Sequence, residues 1–277
     1  MLDISKVVLV CDMDGTLLNS KKEITPSVRA AIKRFTSLGG RFTVATGRTI
    51  QSFQHYFNML ELDYPLIMFN GSMIYDKLHD TVLYSTFLPE NSADISIEIM
   101  SAMPHIGGEV LKTDCTIVFR NNEYEEKHTR ICGITPIYKP LEEIEKGDWQ
   151  KVLFAMSPDD IPKIMALARS KSYKGVQFVK SADIFFEMIP EGITKGSALK
   201  KYRQLDNMQD CFIVAAGDYD NDIEMLIEAD IGAAPANAQP EAKAAADIVL
   251  KHSCDEDAMA ELIEIILKKC GFDSNKL

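Results

Sequence analysis

The chain has 277 residues, of which 46% are hydrophobic and 26% are charged, and its formal net charge is −11. These totals are typical of a globular protein with one large domain or two smaller ones. They argue against a nucleic-acid partner, because no cluster of Lys and Arg offsets repulsion from a phosphate backbone.

The first third of the chain alternates apolar runs with helical patterns. The segments VVLVC (7–11), RFTVAT (41–46) and LIMFN (66–70) are predicted strands, and PSVRAAIKRFTS and TIQSFQHYFNML between them are predicted helices. Pro26 near the start of the first helix and two glycines just after its end are typical of helix termini. This alternation predicts βαβ units and a parallel sheet that is buried on both faces.

The same alternation returns late in the chain, with a helix at GITKGSALKKYRQL, a strand at CFIVAAG (211–217) and a helix at NDIEMLIEA. Between the two blocks, MIYD and TVLYSTF resemble a hairpin, and short strands such as KVLFAMS and IFFEMIP are separated by helices. The predicted fold class is therefore α/β, a Rossmann-like doubly wound parallel sheet core with an inserted α+β domain. We assign residues 1–81 and 189–277 to the core and residues 82–188 to the insertion.

Polar residues follow several of these strands at the point where each strand ends. Asp12 and Asp14 follow the first strand, Thr46 and Gly47 the second, and Asp218 the late strand. The carboxyl ends of parallel strands meet at one edge of the sheet, where ligands bind. Residues two apart in an extended chain point the same way, so Asp12 and Asp14 can face one space. Like charges raise one another's pKa unless a cation intervenes, and such an oxygen-rich site suits Mg²⁺.

This set of residues suits the transfer of a phosphoryl group. An ionised carboxylate beside Mg²⁺ can attack a phosphorus atom whose charge the metal neutralises. The phosphoryl oxygens need positive and hydrogen-bonding partners, and the Thr46 hydroxyl, the Gly47 amide and the Lys195 ammonium are of those types. The second carboxylate can then protonate the leaving alcohol and activate water.

Together these motifs resemble those of the haloacid dehalogenase-like phosphatases. The matching stretches are CDMDGTLL, ATGR, Lys195 in EGITKGSAL, and GDYDND, in that order along the chain. The block between ATGR and Lys195 is similar to the large α/β cap of the Cof-type subfamily. The resemblance implies a Mg²⁺-dependent phosphatase that acts on a small phosphorylated metabolite, such as a sugar phosphate, with the cap over its active site.

The resemblance also implies a role for each matching residue. Asp12 would be the nucleophile that becomes an aspartyl-phosphate, and Asp14 the general acid and then the base. Mg²⁺ would be held by the carboxylates of Asp12 and Asp218 and by the backbone carbonyl of Asp14. Asp222 would orient Lys195 or a metal-bound water. The phosphate would be bound by five residues, namely Met13, Thr46, Gly47, Lys195 and Asn221.

Each of these residues also has a plain structural interpretation. Asp14 and Gly15 can form a simple turn, Thr46 can cap a helix, and a lone Lys195 is typical of a solvated helix face. Asn70 can likewise be explained as a residue that turns the chain after its strand, with no further role. The joint occurrence of the motifs in this order is what favours an active site.

Two other functions stay open from the sequence. A phosphomutase forms the same aspartyl-phosphate but passes the phosphoryl group to a second hydroxyl instead of water. A signalling receiver domain also joins acidic residues, Mg²⁺, a Thr and a Lys on a parallel sheet. Receivers are single domains whose acidic pair is adjacent, whereas Met13 separates the two acids here.

Several features predict what the protein lacks. The first apolar run ends at Asp12, too early for a signal peptide, and no window approaches the roughly 18 apolar residues of a membrane span. The six cysteines have no disulfide or metal spacing. The five histidines also show no ligand spacing, so we expect them on the surface or satisfied in the core. We therefore expect a cytoplasmic protein with no membrane partner and no obligate protein partner.

Overall fold

The structure is a computed structural model that describes residues 1–60, 62, 64–206 and 208–272. The chain divides into two compact units. Unit 1 comprises Met1–Gly47, Tyr56–Tyr84 and the described residues from Thr194 onward, and unit 2 comprises Arg48–His55 and Ser85–Ile193. The predicted boundaries of the inserted domain, at residues 82 and 188, stay a prediction.

The regular elements are numbered here in chain order. The strands are β1 (Val7–Cys11), β2 (Arg41–Val44), β3 (Leu66–Met68), β4 (Met73–Asp76), β5 (Thr81–Ser85), β6 (Gly107–Lys112), β7 (Thr116–Arg120), β8 (Ile137–Tyr138), β9 (Trp149–Ala155), β10 (Val176–Ala182), β11 (Phe185–Pro190), β12 (Phe212–Ala216), β13 (Ile231–Ala234) and β14 (Ile248–Val249). The α-helices are α1 (Pro26–Ser37), α2 (Ile50–Phe53), α3 (Ser92–Ala102), α4 (Glu123–Cys132), α5 (Ile161–Ser170), α6 (Lys195–Tyr202), α7 (Ile223–Glu228), α8 (Pro240–Ala245) and α9 (Ala258–Lys269).

The main sheet of unit 1 is parallel and has the strand order β14-β13-β12-β1-β2. Val8 and Val10 of β1 share one hydrophobic core with Leu199 of α6. On the other face of β1, Cys11 Sγ contacts Met259 Sδ of α9 at 3.3 Å. Helices therefore cover both faces, which is why β1 is a continuous apolar run. The predicted α/β class with a doubly wound parallel core is confirmed.

The third predicted strand joins this sheet at one parallel bridge only and does not form a ladder with it. β3 pairs antiparallel with β4 and forms a small sheet with the order β3-β4-β5. It meets the main sheet at a parallel bridge between Ala45 and Ile67. After β3, Phe69, Asn70 and Gly71 have φ of +51°, +57° and +104° and reverse the chain, which sets the antiparallel pairing of β4 with β3. An apolar run indicates a buried strand but does not specify its pairing direction.

Unit 2 is an α+β unit with the strand order β10-β11-β9-β6-β7-β8, antiparallel except for the pair of β7 and β8. Val110, Val152 and Phe154 share its core with Ile99 of α3 and Ile164 of α5. The α+β character that the sequence indicated for this part of the chain is thus confirmed. Helices α3 and α4 were not predicted from the sequence.

The expectation that the histidines lie on the surface or are satisfied in the core holds only in part. His128 on α4 is buried, 9% exposed, and its Nδ1 lies 2.9 Å from Oε1 of the buried Glu109, without hydrogen-bond geometry. The spacing of histidines alone could not reveal this contact, because the glutamate comes from strand β6.

All six cysteines are free in the structure. Within the described residues, no helix has both the length and the apolar character needed to cross a membrane.

Gly71 offers a test of how the chain reversal after β3 is held. A Cβ at Gly71 would lie 2.2 Å from the backbone oxygen of Thr194, whereas a Cβ at Gly39, which has a similar φ of +98°, would meet its nearest atom at 4.0 Å. We expect Gly39→Ala to lower the free energy of unfolding by roughly 1–2 kcal/mol through backbone strain. Gly71→Ala should lower it by about 1–3 kcal/mol more through the clash. Urea unfolding measures both, and equal losses would contradict the close approach.

Candidate active site

The strand order brings the predicted polar residues to one edge of the main sheet. β1 lies between β12 and β2, and the Asp12 N–H donates to the carbonyl of Ala216, the last residue of β12, at 2.8 Å. Asp12, Asp218 and Thr46 follow these strands and are 6%, 9% and 1% exposed. The carboxyl edge of unit 1 therefore holds buried polar side chains from distant parts of the chain.

Lys195 is the first residue of α6, and it lies inside this group of side chains. The helix begins there because the Thr194 side chain accepts a hydrogen bond from the Ser197 N–H at 2.9 Å. Lys195 is 1% exposed, and its Nζ donates to Asp12 Oδ1 and, at 2.6 Å, to Asp222 Oδ1. A buried ammonium thus joins two carboxylates that lie 210 positions apart in the sequence.

Asp222 is completely buried, and both of its oxygens are engaged. Oδ1 accepts from Lys195, and Oδ2 accepts from the backbone N–H groups of Asp218 and Tyr219 at 3.0 and 3.1 Å. These contacts fix the loop after β12 and hold the Lys195 ammonium beside Asp12. Asp222 is therefore placed to orient Lys195.

Asp218 is held by a residue that the sequence interpretation missed. The Thr16 hydroxyl donates to Asp218 Oδ1 at 2.7 Å. Gly15, with φ +92°, makes room for this carboxylate, because a Cβ at Gly15 would lie 2.5 Å from Asp218 Oδ2. The signal that could have found Thr16 is its place in the DGT triplet directly after the two aspartates.

Asn70 also belongs to the site, beyond turning the chain. Its Oδ1 accepts a hydrogen bond from Asn221 Nδ2 at 3.2 Å. A Cβ at Gly47 would lie 2.7 Å from the same oxygen. The Asn70 N–H in turn donates to the carbonyl of Thr46 at 3.0 Å. The predicted phosphate-binding residues Thr46, Gly47 and Asn221 thus share Asn70 as a neighbour.

Met13 and Asp14 lie in the loop that follows β1. Met13 is fully buried, and its carbonyl accepts from the Leu18 N–H at 2.7 Å. Asp14 has a side chain that is 38% exposed, and its Oδ1 accepts from Lys22 Nζ at 2.8 Å. The Asp14 carboxylate is thus the more solvent-accessible of the two acids in this motif.

Three of the carboxylates converge closely enough to bind a metal ion. Oxygens of Asp12, Asp218 and Asp222 lie within 4.8 Å of one another. Burial raises the pKa of Asp218 to about 6, opposed by the Thr16 hydrogen bond and reinforced by the Asp222 carboxylate. Burial also raises the pKa of Asp12 well above its usual range, and the Lys195 ammonium opposes that shift.

The donors in this cluster fit a hard divalent cation, since all are oxygens and their charges repel one another. Three carboxylates face the single ammonium of Lys195, so a divalent cation would balance the charge of these four groups. Because both oxygens of Asp222 are engaged, Asp12 and Asp218 are the better candidates for ligands.

The role of Asp222 in holding Lys195 can be tested by Asp222→Asn. The amide cannot accept from Lys195 and from both backbone N–H groups, so we expect the free energy of unfolding to fall by roughly 2–4 kcal/mol. Asp220→Asn is a matched control, because Asp220 is exposed two residues away, and it should change stability by less than about 0.5 kcal/mol. Thermal and urea unfolding measure the stability of both variants. If Asp222→Asn were as stable as Asp220→Asn, the assigned contacts would be contradicted.

Comparison with known proteins agrees with this geometry. Residues 9–263 match the sequence profile of the haloacid dehalogenase-like hydrolases. The chain is 27% identical to a putative phosphatase, YxeH, of Bacillus subtilis, over 95% of this chain and 99% of the relative. It is also 27% identical to the pyridoxal phosphate phosphatase YbhA of Escherichia coli, over 92% of this chain and 97% of the relative.

Solved structures show the same fold. A haloacid dehalogenase-like hydrolase from Bacteroides thetaiotaomicron superposes with a TM-score of 0.82 at 26% identity, over 94% of this chain and 98% of the other. These matches cover nearly the whole length of this chain and of each relative, so they include both units. The chain therefore belongs to the haloacid dehalogenase-like hydrolases, and the prediction of a phosphatase of this family, of the Cof type, is confirmed.

Proposed function

We propose that this protein is a Mg²⁺-dependent phosphatase that hydrolyses a small phosphomonoester through an aspartyl-phosphate on Asp12. The observation that carries the proposal is the buried Lys195 ammonium, which contacts Asp12 and Asp222 beside Asp218 at the neighbouring strand end. A phosphoryl group that approaches Asp12 would meet this positive charge, which suits the negative charge on its oxygens.

The metal ligands in this proposal are the carboxylates of Asp12 and Asp218 and the backbone carbonyl of Asp14. When bound, Mg²⁺ supplies positive charge that neutralises phosphoryl oxygens and keeps the carboxylates ionised. Support comes from the all-oxygen donor set and from the Thr16 hydrogen bond that orients Asp218.

In the first chemical step, a carboxylate oxygen of Asp12 attacks the phosphorus atom. The bond between phosphorus and the leaving oxygen breaks, and Asp14 gives its proton to that oxygen to release an alcohol. Lys195 holds the Asp12 carboxylate in position through the step, and Asp222 holds Lys195. The partial exposure of Asp14 suits a group that exchanges protons with substrate and water.

In the second step, water attacks the phosphorus atom of the aspartyl-phosphate. Asp14 takes a proton from this water, and the bond between phosphorus and the Asp12 oxygen breaks. Inorganic phosphate leaves, and Asp12 is again a carboxylate. Meanwhile, the Thr46 hydroxyl, the amides of Met13 and Gly47, and the Asn221 side chain would bind the phosphoryl oxygens.

The substrate class rests on the relatives. One relative is named for pyridoxal phosphate, which is a small phosphomonoester. We propose a phosphorylated metabolite of that size, a sugar phosphate or a similar molecule, in the cytoplasm. The role proposed for the inserted part of the chain is that of a cap, which selects among leaving groups.

The nucleophile can be tested by Asp12→Asn. An amide cannot form the acyl phosphate, so we expect the release of inorganic phosphate from a simple aryl phosphate with Mg²⁺ to fall by at least about 10⁴-fold. The unfolding midpoint should change little, because the amide oxygen can still accept from Lys195. The control Asp220→Asn should keep the wild-type rate.

Two results would contradict this assignment. Robust turnover in Asp12→Asn would remove Asp12 as the nucleophile. In the wild type, a requirement for a bisphosphate activator, with transfer to a second hydroxyl instead of phosphate release, would make the protein a phosphomutase.

The link between Thr16 and the metal gives a separate test. Thr16→Val removes the donor to Asp218 Oδ1 at nearly constant volume, while Thr16→Ser keeps it. Hydrogen-bond partners of metal ligands typically contribute about 10–100-fold to metal affinity. We expect Thr16→Val to raise the Mg²⁺ concentration for half-maximal activity by about that factor and Thr16→Ser to change it little. A Mg²⁺ titration of phosphatase activity measures this concentration. Identical curves for the two variants would show that the Thr16 hydrogen bond does not affect metal binding.

A further inference from the structure

Unit 2 contains a second buried group of ionisable side chains, outside the residues proposed for catalysis. Glu109 comes from β6, and Glu125 and His128 come from α4; these three residues are called the Glu109 cluster. Their ligand atoms lie within 4.8 Å of one another, and the exposed fractions are 0%, 0% and 9%. Residues three apart on a helix share a face, so Glu125 and His128 both reach the same side chain of the strand.

Five polar atoms of this cluster make no hydrogen bond of normal geometry. Both carboxylate oxygens of Glu109, both of Glu125, and Nδ1 of His128 are buried without a hydrogen bond. The His128 ring nitrogen lies 2.9 Å from Glu109 Oε1 and 4.0 Å from Glu125 Oε1. Buried polar groups in folded proteins almost always have hydrogen-bond partners, so five converging atoms that make ionic contacts but no hydrogen bond indicate a missing ligand.

The local charges point to a cation as that ligand. Glu109 and Glu187 lie on the same face of the sheet, because both pair with Leu153 of β9, and Lys151 lies two residues from Leu153 on that face. Lys151 Nζ contacts Glu187 Oε1 at 2.8 Å. The carboxylates of Glu109, Glu125 and Glu187 thus lie near the Lys151 ammonium, and a divalent cation would balance these four groups when His128 is neutral.

We propose that Glu109, Glu125 and His128 form a binding site for a divalent metal ion such as Zn²⁺. Imidazole nitrogen favours Zn²⁺ over Mg²⁺, which prefers oxygen ligands alone. Bonds from Zn²⁺ to nitrogen and oxygen are about 2.0–2.2 Å long, so small side-chain rotations bring these atoms onto one ion. The site binds one ion between α4 and β6 and stabilises the packing of that helix on the sheet.

The alternative to a metal is a shared proton. Without a cation, burial, together with the adjacent Glu109 carboxylate, raises the pKa of Glu125 to about 10. A protonated Glu125 and an imidazolium would then balance the cluster, with Cys132 as a further titratable neighbour of His128. The two possibilities differ in one measurable respect, which is whether the folded chain binds a transition ion at these residues.

The experiment uses the full chain after treatment with a chelator. Zn²⁺ is titrated in equilibrium dialysis against a large excess of Mg²⁺, and the bound metal is measured by elemental analysis. We expect the wild type to bind one Zn²⁺ per chain that Mg²⁺ does not displace, and to unfold at a higher temperature with Zn²⁺ than without it. Glu125→Gln and His128→Gln should lower the Zn²⁺ affinity by about 100-fold or more, since each removes a direct ligand.

Matched controls separate this site from the carboxyl edge of unit 1. Glu126→Gln removes the same charge at the exposed next residue of α4 and should bind Zn²⁺ like the wild type. Asp12→Asn should also retain the ion, which would keep this result independent of the proposed phosphatase mechanism. Glu125→Gln keeps the side-chain volume and removes a buried charge, so it should fold. Three results would each overturn the proposal: loss of Zn²⁺ binding in Asp12→Asn, binding by Glu125→Gln equal to that of the wild type, or no binding by the wild type. The third result would favour the shared proton instead.

Discussion

The arrangement of the carboxyl edge in unit 1 depends on one buried ammonium. Lys195 Nζ contacts both Asp12, after β1, and Asp222, after β12. Removing these charges from water costs several kcal/mol, which only close contacts between opposite charges offset. Because Lys195 is also the first residue of α6, the same contact holds the start of that helix against the strand ends. The nucleophile of the proposed reaction and the helix that stabilises it are therefore positioned together.

Three glycines allow the side chains at the carboxyl edge of unit 1 to pack closely. Gly15 leaves space for the Asp218 carboxylate and Gly47 leaves space for Asn70, and a Cβ at either position would clash with a side-chain oxygen. Gly71 has a positive φ and lies against the Thr194 carbonyl, one residue before Lys195. Glycines therefore lie where loops from separate strands meet, and larger residues would clash with the side chains and backbone of the site.

The two buried clusters of this protein share an imbalance of charge but differ in ligand chemistry. In unit 1, carboxylates of Asp12, Asp218 and Asp222 surround one lysine, and every donor is an oxygen. In unit 2, the Glu109 cluster adds an imidazole nitrogen to its carboxylates. An excess of buried negative charge must be balanced by protons or by cations, and the donor atoms decide which cation fits. For this reason, we propose Mg²⁺ for one cluster and a Zn²⁺-type ion for the other.

The sequence by itself determined the fold class, the family and the residues at the strand ends. Continuous apolar runs indicate strands buried on both faces, and the next polar residue marks the ligand-binding edge, so Asp12, Thr46 and Asp218 could be found from local pattern alone. Helix α6 begins at Lys195, within the predicted helical segment GITKGSALKKYRQL, because Thr194 caps it locally.

The tertiary structure alone decided which of these residues touch and which others join them. The Thr16 contact with Asp218 and the Asn70 contact with Asn221 each join residues more than 100 positions apart, and no periodicity encodes such pairs. β4 pairs antiparallel with β3 because three successive residues with positive φ reverse the chain between them. The sequence did not reveal the Glu109 cluster for the same reason. Its members lie on a strand and a separate helix, and only their packing brings the donor atoms together.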